Sequence, residues 1–296
     1  MKTTLFEGSA VALVTPFDKT GKHVDFEKLG ELVEFHVANG TDALVVCGTT
    51  GEAPTLEDDE HCEAVKYSIK KCAGRIPVIA GTGSNNTDHS IMMTKIAESY
   101  GADGILSVTP YYNKATQKGL YKHYEAIASN TSLPIILYNV PSRTGVNIAP
   151  ATVKQLCSIP NIVAIKEASG NISQVAQIAA LCGDDIDIYS GNDDQIVPIM
   201  SLGGKGVISV VANVAPKQTH DVVKKYLDGD VKGSLKMQLE MLELVNSLFC
   251  EVNPIPVKTA MNIMGFEVGP VRLPLCEMED KNIQRLTNAL KDYGLI

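Results

Sequence analysis

Short apolar runs alternate with amphipathic helical stretches eight times along this chain. No other feature restricts its fold as strongly. The runs are "AVALVTPF" (10–17), "DALVVCGTTGE" (42–52), "IPVIAGTG" (76–83), "GADGILSVTPYY" (101–112), "LPIILYNVP" (133–141), "NIVAIKEASG" (161–170), "IDIYSGND" (186–193) and "GVISVVAN" (206–213). Most are apolar throughout rather than at every second position, as expected of parallel strands buried on both faces. Residues with helical spacing follow each run. In 25–40, for example, Phe26, Leu29, Leu32, Val33 and Val37 recur near that period, and Asn39-Gly40 stops the helix. Further helices are predicted over 56–73, 88–100, up to 130, and over 150–157, 173–181 and 194–202. Eight units in roughly 225 residues predict a closed (β/α)8 TIM barrel. An open doubly wound sheet is the alternative, but it needs a switch point and nothing in the pattern marks one.

After Ala215 only helical pattern remains, at 216–228, 231–250, 254–264 and 279–293. Residues 1–229 therefore read as a catalytic barrel and 230–296 as an added C-terminal helical subdomain. The stretch "GFEVGPVRLPLC" (265–276) reads as a loop.

Bulk properties exclude several classes. The 296 residues carry a net charge of −8 with no basic stripe, which argues against nucleic acid as the main partner. No apolar run approaches the ~20 residues that cross a membrane. The stretch after Lys2 is too short and interrupted for a secretory signal. Cys47, Cys62, Cys72, Cys157, Cys182, Cys250 and Cys276 form no C-x-x-C pair. They read as reduced thiols packed as small apolar residues, which points to the cytoplasm.

In a TIM barrel the chemistry sits at the C-terminal ends of the strands. Those ends carry Thr15-Pro16, Gly48-Thr49-Thr50-Gly51-Glu52, Thr109-Pro110-Tyr111-Tyr112, Tyr138-Asn139, Lys166-Glu167, Gly191-Asn192-Asp193 and Ser209. The mouth is hydroxyl-rich and holds one amine. Desolvation disfavours the charged form of an amine, and a neutral amine forms a Schiff base with a carbonyl. The resulting iminium is an electron sink, so a neighbouring carbon can lose a proton. Tyr138, one strand earlier at a matching position, could stand beside Lys166 as a proton shuttle. A lysine can also simply snorkel off a strand end. The strand-end tyrosine and the Thr-Thr pair favour the catalytic reading.

Metal activation is the other route to a reactive carbonyl. The six histidines are scattered and no His-Glu-x-x-His occurs, so no metal site is expected. Asn192-Asp193-Asp194 could offer oxygen ligands to a hard cation, and the acids at 184–187 read as a solvated turn on the opposite face. "LGGKGV" (202–207) precedes the eighth strand and lacks the Walker spacing, so it reads as a tight turn. Arg143, in the loop after the fifth strand, could clamp a carboxylate at two points or lie on the surface.

The motifs "GTTGE", "TPYYN", "YNVPSRTG", "IKEASG" and "NPIPVK", in this order, resemble the dihydrodipicolinate synthase family along essentially the whole chain. "IKEASG" and "GTTGE" mark the wider superfamily of pyruvate-dependent lyases and aldolases. "YNVPSRTG" is narrower, since sialic acid lyases usually lack that arginine. The resemblance implies that Lys166 forms a Schiff base with pyruvate, with no other cofactor. It implies a relay of Tyr138, Thr49 and Tyr112, with Tyr112 reaching into a neighbouring subunit. Thr50, with Thr49, would bind the pyruvate carboxylate, and Arg143 the carboxylate of aspartate 4-semialdehyde. The carbonyls of Gly191 and Ile208 would face the site. The assembly implied is a homotetramer, a pair of tight dimers. Tyr111 and Tyr112, taken as an extended segment, should point to opposite sides.

Many family members are inhibited by lysine in a cleft between tight-dimer partners. The matching positions are Ala53, Pro54, Asp58, His61, Asn85, His89 and Tyr111. Sensitive members commonly carry a serine at the position of Ala53 and a glutamate at that of His89. Losing a charge-assisted contact costs roughly 1.5–3 kcal/mol, so lysine inhibition is expected to be weak or absent. Two other functions compete. One is a sister aldolase acting on a sugar acid such as N-acetylneuraminate, against which Arg143 argues. The other is a catalytically silent barrel, against which Lys166, Tyr138, Thr49 and Tyr112 argue.

Overall fold

The computed structural model describes residues 2–296. Eight parallel strands close on themselves in chain order. They are β1 (Gly8–Ala12), β2 (Ala43–Val46), β3 (Val78–Gly81), β4 (Gly104–Val108), β5 (Ile135–Asn139), β6 (Ile162–Glu167), β7 (Asp187–Ser190) and β8 (Gly206–Ser209). The barrel expected from the sequence is the fold observed, and the open sheet is excluded by the pairing of β1 with β8.

Helices α1 (Phe26–Ala38), α2 (Asp58–Cys72), α3 (Thr87–Ser99), α4 (Gln117–Ala128), α5 (Pro141–Thr144), α6 (Pro150–Leu156), α7 (Ile172–Cys182), α8 (Ile196–Met200) and α9 (Pro216–Leu227) follow the strands. Local chemistry sets their ends. Asp25 caps α1 by accepting from the Lys28 N–H at 2.9 Å, and Thr116 caps α4 through Gly119. The C-terminal region holds α10 (Val231–Glu240), α11 (Leu242–Leu248), α12 (Ile255–Ile263) and α13 (Asp280–Asp292). The single helix expected over 231–250 is broken at Met241, whose fully buried side chain packs into the main core between α10 and α11.

Every strand is buried on both faces, and each face has its own core. The lumen is filled by Ala10, Ala12, Val45, Ile79, Ile136, Ala164, Tyr189 and Ile208. Phe6 stacks on the Tyr189 ring at 4.3 Å, and the Tyr189 hydroxyl donates to the Phe6 carbonyl at 2.6 Å. The outer faces pack on the helices. One cluster there joins Val11, Leu44 and Val207 to Leu244, Val257, Met261 and Leu290, so the C-terminal helices share a core with the barrel.

The extended segment expected at Tyr111–Tyr112 is instead a turn. Tyr112 has φ 74 and Lys114 φ 50, and the Asn113 N–H reaches the Tyr111 carbonyl at 3.0 Å. The chain must reverse here to reach α4, and Pro110 ends the strand. The segment before β8 is the tight turn expected, with Lys205 paired to Glu7 beside the start of β1.

Closure depends on one glycine. Gly206 has φ +152, and a Cβ there would lie 1.8 Å from the Gly8 carbonyl oxygen. The clash is with the backbone of β1, so no rotamer relieves it. Gly206→Ala is expected to cost about 3 kcal/mol, since both overpacking and backbone strain apply. Urea unfolding checks this, and an unchanged midpoint would contradict it.

Candidate active site

Alternation along β6 divides two neighbouring charges. Lys166 faces the lumen beside Ala164, and Glu167 faces outward. Both are buried. Glu167 is satisfied by the Asn139 amide at 3.0 Å, the Ser169 N–H at 2.7 Å and the Gln174 amide at 3.1 Å. It supports the strand from outside. Lys166 is a register partner of Tyr138 on β5 and of Tyr189 on β7. Its Nζ lies 4.4 Å from the centre of the Tyr138 ring. The amine therefore meets the π-face of the tyrosine expected beside it.

Asp193, in the short 3-10 turn after β7, is fully used. Its carboxylate accepts from Ser209 Oγ at 2.5 Å and from the backbone N–H groups of Val210 and Val211 at 3.0 and 3.2 Å. Burial pushes this carboxyl up, while Ser209, the two N–H groups and the charge of Lys166 pull it down. It binds the start of the β8 loop rather than waiting for a cation. Among the described residues, no group of three or more His, Cys, Asp or Glu side chains is placed to hold a metal.

A cavity of about 540 Å³ opens at the C-terminal mouth. Thr49, Tyr138 and Arg143 line it. Ala53, Pro54, Asp58, His61, His89 and Tyr111 line it too, so the two residue sets read from the sequence share one space. Asn85, in the loop after β3, is not on the wall, and neither are Lys166, Thr50, Gly191 and Ile208. Gly191 stands where a Cβ would meet the Ala168 Cβ at 2.5 Å, which explains the glycine. Tyr112 is 89% exposed and is not on the cavity wall of its own chain. Within the second set, His89 Nε2 is 3.0 Å from Asp58 Oδ1. His61 Nε2 meets the Gly81 carbonyl at 2.8 Å, and burial lowers its pKa.

Two connections were missed in the sequence. Asn253 donates from Nδ2 to Thr50 Oγ1 at 3.0 Å, and its main-chain oxygen accepts from Arg143 Nη2 at 3.2 Å. Lys258 reaches Glu52 at 2.9 Å. Both lie in "NPIPVK", a motif noticed only for its resemblance. A lysine within an apolar stretch was the available signal.

A model of the Dihydrodipicolinate synthetase family matches residues 5–293. The chain belongs to the dihydrodipicolinate synthetase family. It is 59% identical over 291 residues to the 4-hydroxy-tetrahydrodipicolinate synthase of Clostridium novyi, covering 98% of each chain. It is similar to the chloride-inhibited dihydrodipicolinate synthase from Acinetobacter baumannii complexed with pyruvate, at 46% identity and TM-score 0.96, over 99% of this chain and 100% of that one. It is also similar to DHDPS from Cyanidioschyzon merolae with lysine bound, at 40% identity and TM-score 0.97, again over 99% and 100%. Lys166 and Tyr138 thus stand at the mouth of a barrel whose relatives in this family include one solved with pyruvate.

Asp193→Ala leaves two buried N–H groups and a serine hydroxyl without their acceptor. It is expected to lower stability by at least about 2 kcal/mol. Urea unfolding of the variant against the parent chain measures this, and equal midpoints would refute the role given to Asp193.

Proposed function

We propose that this chain condenses pyruvate with L-aspartate 4-semialdehyde to give 4-hydroxy-tetrahydrodipicolinate, a precursor of diaminopimelate and lysine. The observation that carries the residue-level reading is the Lys166–Tyr138 pair, register partners with the amine 4.4 Å over the ring. Lys166 Nζ adds to the C2 carbonyl of pyruvate, and loss of one water gives the iminium. The iminium draws electrons from C3, which loses a proton and becomes an enamine. That carbon attacks the aldehyde of the second substrate, whose oxygen takes up a proton and becomes the 4-hydroxyl. The substrate's own amino group then adds to C2, closes the ring and expels Lys166 as the free amine. One water is released overall, and the Schiff base is the only electron sink the sequence requires.

In this reading Tyr138, Thr49 and Tyr112 pass the protons. Thr50, with Thr49, holds the pyruvate carboxylate, and the carbonyls of Gly191 and Ile208 face the bound substrate. Arg143 on the cavity wall clamps the semialdehyde carboxylate. The exposure of Tyr112 supports its working in a second copy of the chain. We take the assembly to be a homotetramer of tight dimers. Seven free cysteines support a reducing, cytoplasmic setting.

Turnover assays separate this from the sister aldolase. Product is expected with aspartate semialdehyde and none with N-acetylneuraminate, and the reverse would overturn the assignment. Tyr138→Phe removes a general acid–base group and is expected to lower kcat by about 10²–10⁴. An unchanged kcat would contradict the relay.

The second set of cavity residues bears on regulation. Asp58 faces His89 rather than an ammonium-binding glutamate, and Ala53 offers no hydroxyl. Lysine is expected to inhibit weakly or not at all. Half-inhibition at sub-millimolar lysine would refute this.

A further inference from the structure

Thr49, Thr50, Gly51 and Glu52 make the turn after β2. Thr49 lines the cavity, and the three residues behind it are each held in place. Thr50 Oγ1 accepts from Asn253, and the Gly51 carbonyl accepts from Thr15 Oγ1 at 2.7 Å. Glu52 has φ 54, a left-handed conformation that disfavours a side chain. Its side chain is fully buried. Oε1 accepts from Lys258 Nζ at 2.9 Å, and Oε2 accepts from the Arg272 backbone N–H at 2.9 Å. Both oxygens of this strained residue are thus held from the C-terminal region.

Lys258 is as deeply placed, with its side chain 2% exposed. Its ammonium has three N–H groups and three acceptors: Glu52 Oε1, the Thr15 carbonyl at 3.1 Å and the Pro270 carbonyl at 2.6 Å. The Phe17 ring lies 4.2 Å from Nζ, and the Arg272 guanidinium stands 4.0 Å from the same ring. Arg272 in turn grips Glu60 at 2.7 and 2.8 Å, with Asp18 in electrostatic reach. Burial pulls Lys258 down to about 8; Glu52 opposes the shift and Arg272 adds to it. Apolar residues of similar size often stabilise a fold as well as a buried ion pair does. What two apolar residues cannot do is hold a carboxylate, and the turn attached to it, through both of its oxygens.

We propose that Lys258 is a positioning residue for pyruvate: from α12 it holds Glu52 and so sets the Thr49–Thr50 turn against Lys166. This rests on the reading of Thr49 and Thr50 as the carboxylate site. Deprotonation of Lys258 leaves two N–H groups for three acceptors, so the turn loosens as pH rises.

The test compares Lys258→Met, Lys258→Arg and the double variant Glu52→Gln/Lys258→Met, which leaves no lone buried carboxylate. The readouts are the pyruvate concentration that half-saturates borohydride trapping, followed from about pH 7 to 9.5, and KM and kcat for each substrate. Lys258→Met and the double variant are expected to need about tenfold more pyruvate, a factor that corresponds to 1.4 kcal/mol. The adduct at saturation and the semialdehyde KM should change little. The parent's requirement for pyruvate should rise above about pH 8, more steeply than the double variant's. Lys258→Arg should restore affinity and keep it at alkaline pH, because arginine stays charged. A folded double variant with the parent's half-saturation at every pH overturns the proposal. Uniform losses in kcat and both KM values, the mark of a purely structural role, overturn it too. Absence of any adduct in the parent chain overturns the Schiff-base reading and this proposal with it.

Discussion

The pairing of β1 with β8 is the constraint on which the rest depends. Once the sheet is closed, each strand has a lumen face and a helix face, and each side chain's place follows from its position along the strand. The close approach of Gly8 and Gly206 sets that register. A slip of one residue in β6 would bring Glu167 into the lumen and turn Lys166 toward the helices. The site is therefore a consequence of the register rather than of the loops alone.

The same alternation explains how two opposite charges follow one another in a buried strand. Glu167 collects amide donors from Asn139, Ser169 and Gln174 outside the barrel. Lys166 has the Tyr138 ring within the mouth. Asp193 and Ser209 tie the β7 and β8 ends together. Beyond β1, Lys258 and Arg272 tie the β2 turn to the C-terminal region. The mouth is thus braced by buried polar links, each with its partners in place, around the residues that line the cavity.

The barrel was legible because continuous apolar runs and helical spacing repeat without interruption. Lys166 and Tyr138 were legible because both stand at strand ends, where a polar residue after an apolar run is conspicuous. What was not legible depends on contacts distant in sequence. The break at Met241 has no proline or glycine to announce it. The turn at Tyr112 depends on a left-handed residue that nothing in "TPYYN" requires. The Glu52–Lys258 pair joins residues 206 apart, which no local pattern can reveal. Asp193 drew notice as a possible cation ligand, and only its bonds to Ser209, Val210 and Val211 show what occupies it.

The central claim is that one lysine at the end of β6 carries the chemistry. Peptide mass mapping after borohydride reduction in the presence of pyruvate tests it most directly. The account predicts a single reduced pyruvate adduct, on the peptide containing Lys166 and absent from Lys166→Ala. An adduct on Lys258 or another lysine with Lys166 unmodified, or none at all, would contradict it.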